Sequence, residues 1–191
     1  MDIEWITVEP GKVFIGSDNR SILFGGIGPR HEVKIDYNYE ISYLPVSSKI
    51  SKKFLESKDC YIASESEWSL AMKRKLIFGN NQVEELSDRI RGSYWSKYCD
   101  GRPFIEDNWL MKVSRTWISE TPSITSIPKG EKSEYVRLVR RLDVEYNDSS
   151  APKLPNSSDK SKLLLEEFMI SLIIGIIPSF IWANFNASSG Y

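Results

Sequence analysis

An α+β fold followed by one membrane-spanning helix is what the sequence predicts, and three observations predict it. Short β-rich runs are scattered from Trp5 to Tyr146. Two short helical stripes begin near Ser47 and Ser64. The chain then closes on a long apolar run. Two helices set among scattered strands argue against the regular strand–helix alternation of a parallel α/β sheet.

The first runs, Trp5-Ile6-Thr7-Val8 and Val13-Phe14-Ile15, flank Pro10-Gly11, a pattern that predicts a hairpin. Ser17 to Pro29 reads as a loop, with Gly16, Gly25, Gly26 and Gly28 in or beside it. It lacks the Gly-Lys-Ser/Thr of a phosphate cradle and no helical pattern follows, which argues against nucleotide binding. Val33, Ile35, Tyr37, Tyr39, Ile41 and Tyr43 alternate, giving strand character on both sides of a bend. Ser47 or Ser48 can cap a short helix carrying Ile50, Phe54 and Leu55. Ser64-Glu65-Ser66-Glu67 has the spacing of a capping box. Trp68, Ala71, Met72 and Leu76 follow on one helical face, read as core packing, and Lys73, Arg74 and Lys75 suit the negative end of the helix dipole. Gly79 to Ser126 reads as irregular and aromatic, and the alternation from Glu134 to Tyr146 predicts a closing strand or hairpin.

The 191 residues are 41% hydrophobic and 27% charged, with a formal net charge of −1, so nothing marks the chain as a nucleic-acid binder. The closest basic cluster, Arg137, Arg140 and Arg141, falls in a strand-like segment and reads as solvated charge. Six Trp, nine Tyr and eight Phe supply enough apolar area for a core. Cys60 and Cys99 make neither a metal-type Cys-x-x-Cys pair nor a disulfide framework.

From Phe168 to Phe185 there are 18 consecutive uncharged residues. As a helix they rise ~27 Å, close to the hydrocarbon thickness of a bilayer. Phe168, Ile173, Ile174, Ile177 and Trp182 are the expected lipid-facing anchors, with Trp182 suited to the interfacial belt. A buried core helix would carry a polar stripe, and this run has only Ser171, Ser179 and Asn184. Lys153, Lys160 and Lys162 precede the run and no positive charge follows it, so the positive-inside rule places the N-terminal domain in the cytoplasm and the tail outside. Met1-Asp2-Ile3-Glu4-Trp5 has no signal-peptide character. Asn147 to Ser161 is rich in Ser and Pro and aperiodic. The expected organisation is therefore a domain at 1–146, a flexible linker at 147–161 and an anchor with a short tail at 162–191.

Several blocks, in order, resemble the formylglycine-generating (sulfatase-modifying) enzyme family. Trp5-x-x-Val8-x-Pro10-Gly11-x-Val13-x-Ile15-Gly16-Ser17 resembles the opening of such domains. Pro29-Arg30-His31-Glu32-Val33, then Tyr39-Glu40-Ile41 and Pro45-Val46, resemble the next blocks. Ser64-Glu65-Ser66-Glu67-Trp68 is similar to the family's helix start, preceded by Ala63 where the family has Pro. Arg91-Gly92-Ser93-Tyr94-Trp95 resembles its Arg-Gly-Gly-Ser-aromatic block, and Tyr135-Val136-Arg137-Leu138-Val139-Arg140 its closing strand. The resemblance implies the C-type-lectin-like fold: a small twisted antiparallel sheet, two short helices and long loops.

It also implies what chemistry to look for. Oxidase members hold Cu(I) with a cysteine pair just after the Gly-Ser-aromatic block, soft thiolates suiting a soft ion. By register Ser96 stands near the first of these positions and Cys99 near the second; Cys60 lies 39 residues earlier. A related branch uses non-haem iron and a histidine triad, whereas His31 is the single histidine of this chain. A mixed site of His31 with Asp100, Glu106 or Asp107 is the remaining iron option, against a structural role for His31 at the start of a strand. The resemblance thus implies a degenerate member with no confident catalytic or metal residue, Cys99 and His31 being the residual candidates, and no cofactor.

Cys99 to Trp109 concentrates a thiol, three carboxylates, a guanidinium and two aromatics in eleven residues. Asp100, Arg102, Glu106, Asp107 and Trp109 are the candidate ligand or partner surface. Against that stands a loop pinned by Arg102–carboxylate pairs and by buried Phe104 and Trp109. The expected function is a membrane-anchored, non-catalytic accessory or interaction subunit of a membrane protein complex. The alternatives are a divergent copper or non-haem iron oxidase and a small-ligand or glycan-binding module.

Overall fold

The computed structural model describes residues 3–18, 27–56, 59–118, 121–142, 144–156 and 160–187. The chain divides into two compact units, Met1–Leu154 and Pro155–Tyr191. The first is α+β, as its scattered strand signals predict. It contains three sheets and two helices, α1 (Ser48–Leu55) and α2 (Glu65–Lys73).

Strands β1 (Trp5–Val8), β4 (Tyr39–Ser42), β11 (Leu138–Arg141) and β6 (Tyr61–Ile62) form a four-stranded antiparallel sheet in the order β1-β4-β11-β6. β2 (Gly11–Ile15) pairs only with β3 (His31–Ile35). The hairpin expected at Pro10-Gly11 is therefore absent: β1 and β2 enter different sheets. Arg74, at the end of α2, takes the cause of that turn into its guanidinium, donating to the carbonyls of Glu9 (2.6 Å) and Pro10 (2.8 Å). A Cβ at Gly11 would sit 2.6 Å from Arg74 Nη2, so any larger residue there would have to push the guanidinium off these carbonyls.

The third sheet has the order β5-β10-β7-β8-β9 and corrects the reading of Gly79 to Ser126 as irregular. That stretch supplies three eight-residue strands, β7 (Val83–Ile90), β8 (Met111–Ile118) and β9 (Thr121–Pro128), beside the short β5 (Val46–Ser47) and β10 (Tyr135–Val136). Their pattern was hidden because the inward positions are partly charged. Glu84, Asp88 and Lys112 are buried, and a register shift between Glu85 and Arg89 breaks the period of two. The segment 134–146 is likewise not one strand. β10 and β11 belong to different sheets and are split at Arg137, whose side chain is fully buried.

Both halves of the capping box at α2 are formed: Glu67 N–H donates to Ser64 Oγ (3.1 Å) and Ser64 N–H to Glu67 Oε2 (2.8 Å). Trp68 and Ala71 of the expected stripe are buried, and Met72 and Leu76 pack partly buried against the same core. Trp68 meets Trp117 with ring centroids 5.8 Å apart. Gly79 is pressed on that second ring, where a Cβ would lie 2.4 Å from Trp117 Nε1. In α1, Ser47 occupies the cap position without a side-chain capping bond. Ile50 and Leu55 are exposed, and Phe54 packs on a smaller cluster of Val46, Cys60, Val136 and Leu138.

The stretch expected to be a linker from Asn147 onward is held to the first unit as far as Leu154. Cys99 N–H donates to Pro152 O (2.7 Å), Leu154 N–H donates to Lys97 O (2.9 Å), and Leu154 packs on the core. Its Ser/Pro composition concealed this, because the contacts come from two backbone bonds and a few scattered side chains, Asp148 on Arg102, Lys153 over Tyr98 and Leu154 on the core, with no period.

The second unit is helical: α3 (Lys160–Ser171), a five-residue π-helical segment (Leu172–Ile176) and α4 (Ile177–Ala187). Leu164–Ala187, 24 residues, is long and apolar enough to cross a membrane, and none of its most apolar stretch is buried. Phe168, Ile173, Ile174, Ile177 and Trp182 are all exposed. Pro178 accounts for the π segment. It has no N–H to offer the carbonyl four residues back, and just before it Ile177 N–H bonds to Leu172 O with the wider π spacing. Ser179 Oγ donates to Gly175 O (2.6 Å) and Asn186 Nδ2 to Trp182 O (2.8 Å), so the polar side chains are answered by the helix itself.

Candidate functional site

The polar chemistry of the first unit is concentrated in three buried charge networks. In the first, Glu84 of β7 is a hub. Its Oε1 accepts from Trp68 Nε1 (2.8 Å), Trp117 Nε1 (2.6 Å) and Arg137 Nη2 (2.9 Å), and its Oε2 from Arg137 Nε (2.6 Å). Arg137 uses its other donors on the carbonyls of Ser42, Tyr43 and Phe78. The basic cluster expected to be solvated is thus not so. Arg137 has no exposed surface, Arg141 is paired with Glu67, and Arg140 lies 4.1 Å over the Trp5 ring. An ion pair carried this deep needs every lone pair and proton answered, and this one has them.

The second network centres on Glu67, the capping carboxylate. Arg141 donates to both its oxygens (2.7 and 2.9 Å) and Tyr37 OH to Oε1 (2.9 Å). Burial works against the Arg141 charge, but the adjoining Glu67 carboxylate outweighs it and raises the guanidinium pKa.

The third joins α2 to the loop after β7. Asp88 accepts from the Glu65 N–H (2.7 Å), Lys97 Nζ (2.8 Å) and the Phe104 N–H (3.1 Å). Arg115 forks onto both oxygens of Glu65, and Ser69 Oγ donates to the same carboxylate (3.2 Å). Burial pushes the Glu65 carboxyl upward, opposed by Arg115. Beside this network His31 meets Tyr94 edge to face, centroids 5.7 Å apart. His31 Nδ1 donates to Pro29 O (2.8 Å), while Nε2 and the Tyr94 hydroxyl are buried without a hydrogen-bond partner. Burial lowers the His31 pKa, with the Pro29 bond opposing.

The two cysteines are not brought together. Cys60 lies in the smaller cluster and Cys99 in the main core, both as free buried thiols whose pKa burial raises. Among the described residues no three of His, Cys, Asp and Glu converge in a group that could hold a metal. His31 does not approach Asp100, Glu106 or Asp107 in any hydrogen bond; each of those neighbours is engaged elsewhere or faces solvent.

In the 99–109 loop most polar groups are spent internally. Arg102 Nε donates to Asp100 Oδ2 (2.8 Å), Nη1 reaches Asp148, and the guanidinium lies between the rings of Tyr98 (4.2 Å) and Tyr146 (4.7 Å). Glu106 Oε2 accepts the Arg91 N–H (2.7 Å). The Trp109 ring has Arg89 at 5.6 Å and Lys129 at 4.6 Å, two cations on an aromatic. What the loop leaves in solvent is Ile105 (66% exposed), Asp107 and Asn108, and just beyond it Leu110 (58%). Sequence reasoning placed weight on the charged members of this loop and missed Ile105 and Leu110. The usable signal was that they flank a tryptophan in a segment with no amphipathic period.

No family model, no curated protein and no solved structure matches this chain. What the site can do is therefore argued from its own geometry. A small open groove of about 340 Å³ beside α2 is lined by Phe14, Met72, Arg115 and Pro122, but the Arg115 charge there is already committed to Glu65.

Proposed function

We propose that this chain is a single-pass, membrane-anchored interaction protein, an accessory subunit whose folded domain serves as a scaffold. The observation that carries this reading is the Leu164–Ala187 helix, which is uncharged from Phe168 onward and has none of its most apolar stretch covered by protein. Inside a water-soluble protein such a helix would bury one face. In a bilayer it needs no partner.

The reading of the domain as scaffold is supported by how its reactive groups are spent. Glu84, Glu67 and Glu65 each face an arginine, and Cys99 and Cys60 lie in different clusters as raised-pKa thiols. The resemblance to formylglycine-generating enzymes belongs here as a proposed ancestry of the fold. The surface offered to a neighbour is the 99–110 segment, where Ile105 and Leu110 are the most exposed large apolar side chains described in the domain. Anchoring raises the effective concentration of neighbours, so a patch this small suffices for a specific contact in the membrane plane. The lysines ahead of the helix support a cytoplasmic domain in this reading.

Alkaline carbonate extraction of membranes tests the anchor. The full chain is expected in the pellet and a chain ended after Asn156 in the supernatant. Full chain released by carbonate would defeat the proposal.

A further inference from the structure

We propose that residues 144–154 form a detachable clasp, a strap that docks on the 97–102 segment and sets how much free chain lies between the domain and the C-terminal helix. The eleven residues have almost no secondary structure of their own, yet they are held at four points. Tyr146 lies against Tyr37 (centroids 6.0 Å apart) and under Arg102. Asp148 pairs with Arg102 from a side chain that is 73% exposed. Pro152 and Leu154 pair with Cys99 and Lys97 through backbone, around a Tyr98–Lys153 bridge. Leu154 packs on the core. An Asn147 turn, with Ser149 N–H donating to Asn147 Oδ1 (3.0 Å), shapes the strap between these points.

The binding side is thin for what it orders. One leucine, the Tyr146 ring against Tyr37 and Arg102, Lys153 over the Tyr98 ring, one partly solvated ion pair and two backbone bonds hold a segment whose release regains the conformational freedom of eleven residues. Such a segment belongs to the low-stability end of a fold and opens without global unfolding. The strap side of the contact includes no charged group that is fully buried, so release leaves no orphaned charge on the strap. What release uncovers is Cys99, whose amide is bonded to Pro152 and whose thiol faces the Leu154 backbone.

The consequence for the anchor rests on the reading in the previous subsection. With the clasp shut, five residues (155–159) join Leu154 to the first helical residue, a covalent reach of at most ~18 Å. With it open, the sixteen residues 144–159 span at most ~58 Å fully extended. Docking the strap therefore shortens the leash between scaffold and helix roughly threefold.

Cys99 is the reporter and Cys60, in the other cluster, the internal control. The full chain in detergent micelles is treated with N-ethylmaleimide and each cysteine is followed by mass spectrometry across low urea, with tryptophan emission recording global unfolding. Cys99 is expected to react with a rate nearly independent of urea below the unfolding transition. Leu154→Ala should raise that rate at least ~10-fold and Asp148→Asn ~3-fold, with Cys60 unchanged. If Leu154→Ala loses its tryptophan signature, Asp148→Asn alone decides. A Cys99 rate that follows the urea dependence of tryptophan emission, or that Asp148→Asn leaves at its starting value, overturns the clasp. This readout does not depend on whether residues 164–187 lie in a bilayer, which carbonate extraction decides separately.

Discussion

The interior of the domain and the C-terminal helix treat charge and apolar surface in opposite ways. The domain buries Glu84 with Arg137 and Asp88 with Lys97, each with no exposed surface. The helix leaves Ile174, Phe180 and Trp182 more than two-thirds exposed. Each arrangement is stable in one solvent only. Water strips nothing from a domain whose polar groups are closed into networks, whereas an unshielded apolar helix minimises its free energy in hydrocarbon. On the proposed reading the two units answer to two solvents, water and hydrocarbon, and variants in each test whether they do.

The largest expected effect is on the domain. Arg137→Ala leaves Glu84 charged in the core with only two indole donors, and removing one member of a buried pair costs about 3–5 kcal/mol. Urea denaturation should show that loss. Glu84→Leu with Arg137→Leu should recover little of it, because Trp68 and Trp117 would then keep buried N–H groups with no acceptor. A double variant as stable as the parent would show the hub to be dispensable.

Next in size is a charge placed in the helix. Ile174→Lys introduces an ammonium near the middle of the apolar run and should weaken insertion by about 2.5–3.5 kcal/mol on insertion scales. The carbonate-resistant fraction should fall while the urea midpoint of the domain stays where it was. A shifted midpoint would show that the two units are energetically coupled.

How much of this was legible follows from the same contrast. The apolar helix was plain in the sequence because a bilayer demands length and the absence of charge, both countable. The α2 capping box was plain because its bonds are local. The inward faces of β7 and β8 were not, since Glu84, Asp88 and Lys112 look like solvent residues until their partners, up to 53 positions away, are known. Arg137 was misread for that reason. The strap is not legible because its docking combines backbone bonds with isolated side chains, Tyr146, Asp148 and Leu154, that follow no period. In the candidate loop, the sequence marked Arg102 and its carboxylates, and these turned out to answer one another, while Ile105 and Leu110 were passed over.

A smaller effect comes from His31. Its pKa is lowered from the ordinary 6.5, chiefly by burial. Between the lowered value and 6.5 the unfolded chain binds a proton that the folded chain does not, so stability falls as pH drops below 6.5 and is fully present above it. The slope from one such group is at most about 1.4 kcal/mol per pH unit. Urea midpoints at pH 7.5 and 5.5 should differ in the parent and differ less in His31→Gln. As the single histidine, it can also be followed directly by its ring-proton resonance, whose titration midpoint should lie below the ordinary 6.5. A midpoint indifferent to pH in this window would mean that His31 is wetter than its surroundings imply.

The smallest effect on stability should come from the loop tip, and there the contrast between the units becomes a test of function. Among the described residues of the domain Ile105 and Leu110 are the most exposed large apolar side chains, at 66% and 58%, ahead of Phe14 (56%) and Leu44 (51%). If they belong to water, Ile105→Ser and Leu110→Ser are neutral in every assay. If they belong to a neighbour in the membrane, the pair of substitutions should leave the urea midpoint within about 0.5 kcal/mol of the parent, as for ordinary surface sites. The same pair should abolish the cross-links formed by full-length protein in native membranes. Cross-linking that survives the double substitution would move the interaction to another face of the domain, because Trp109, held between Arg89 and Lys129, has too little free surface to sustain it alone.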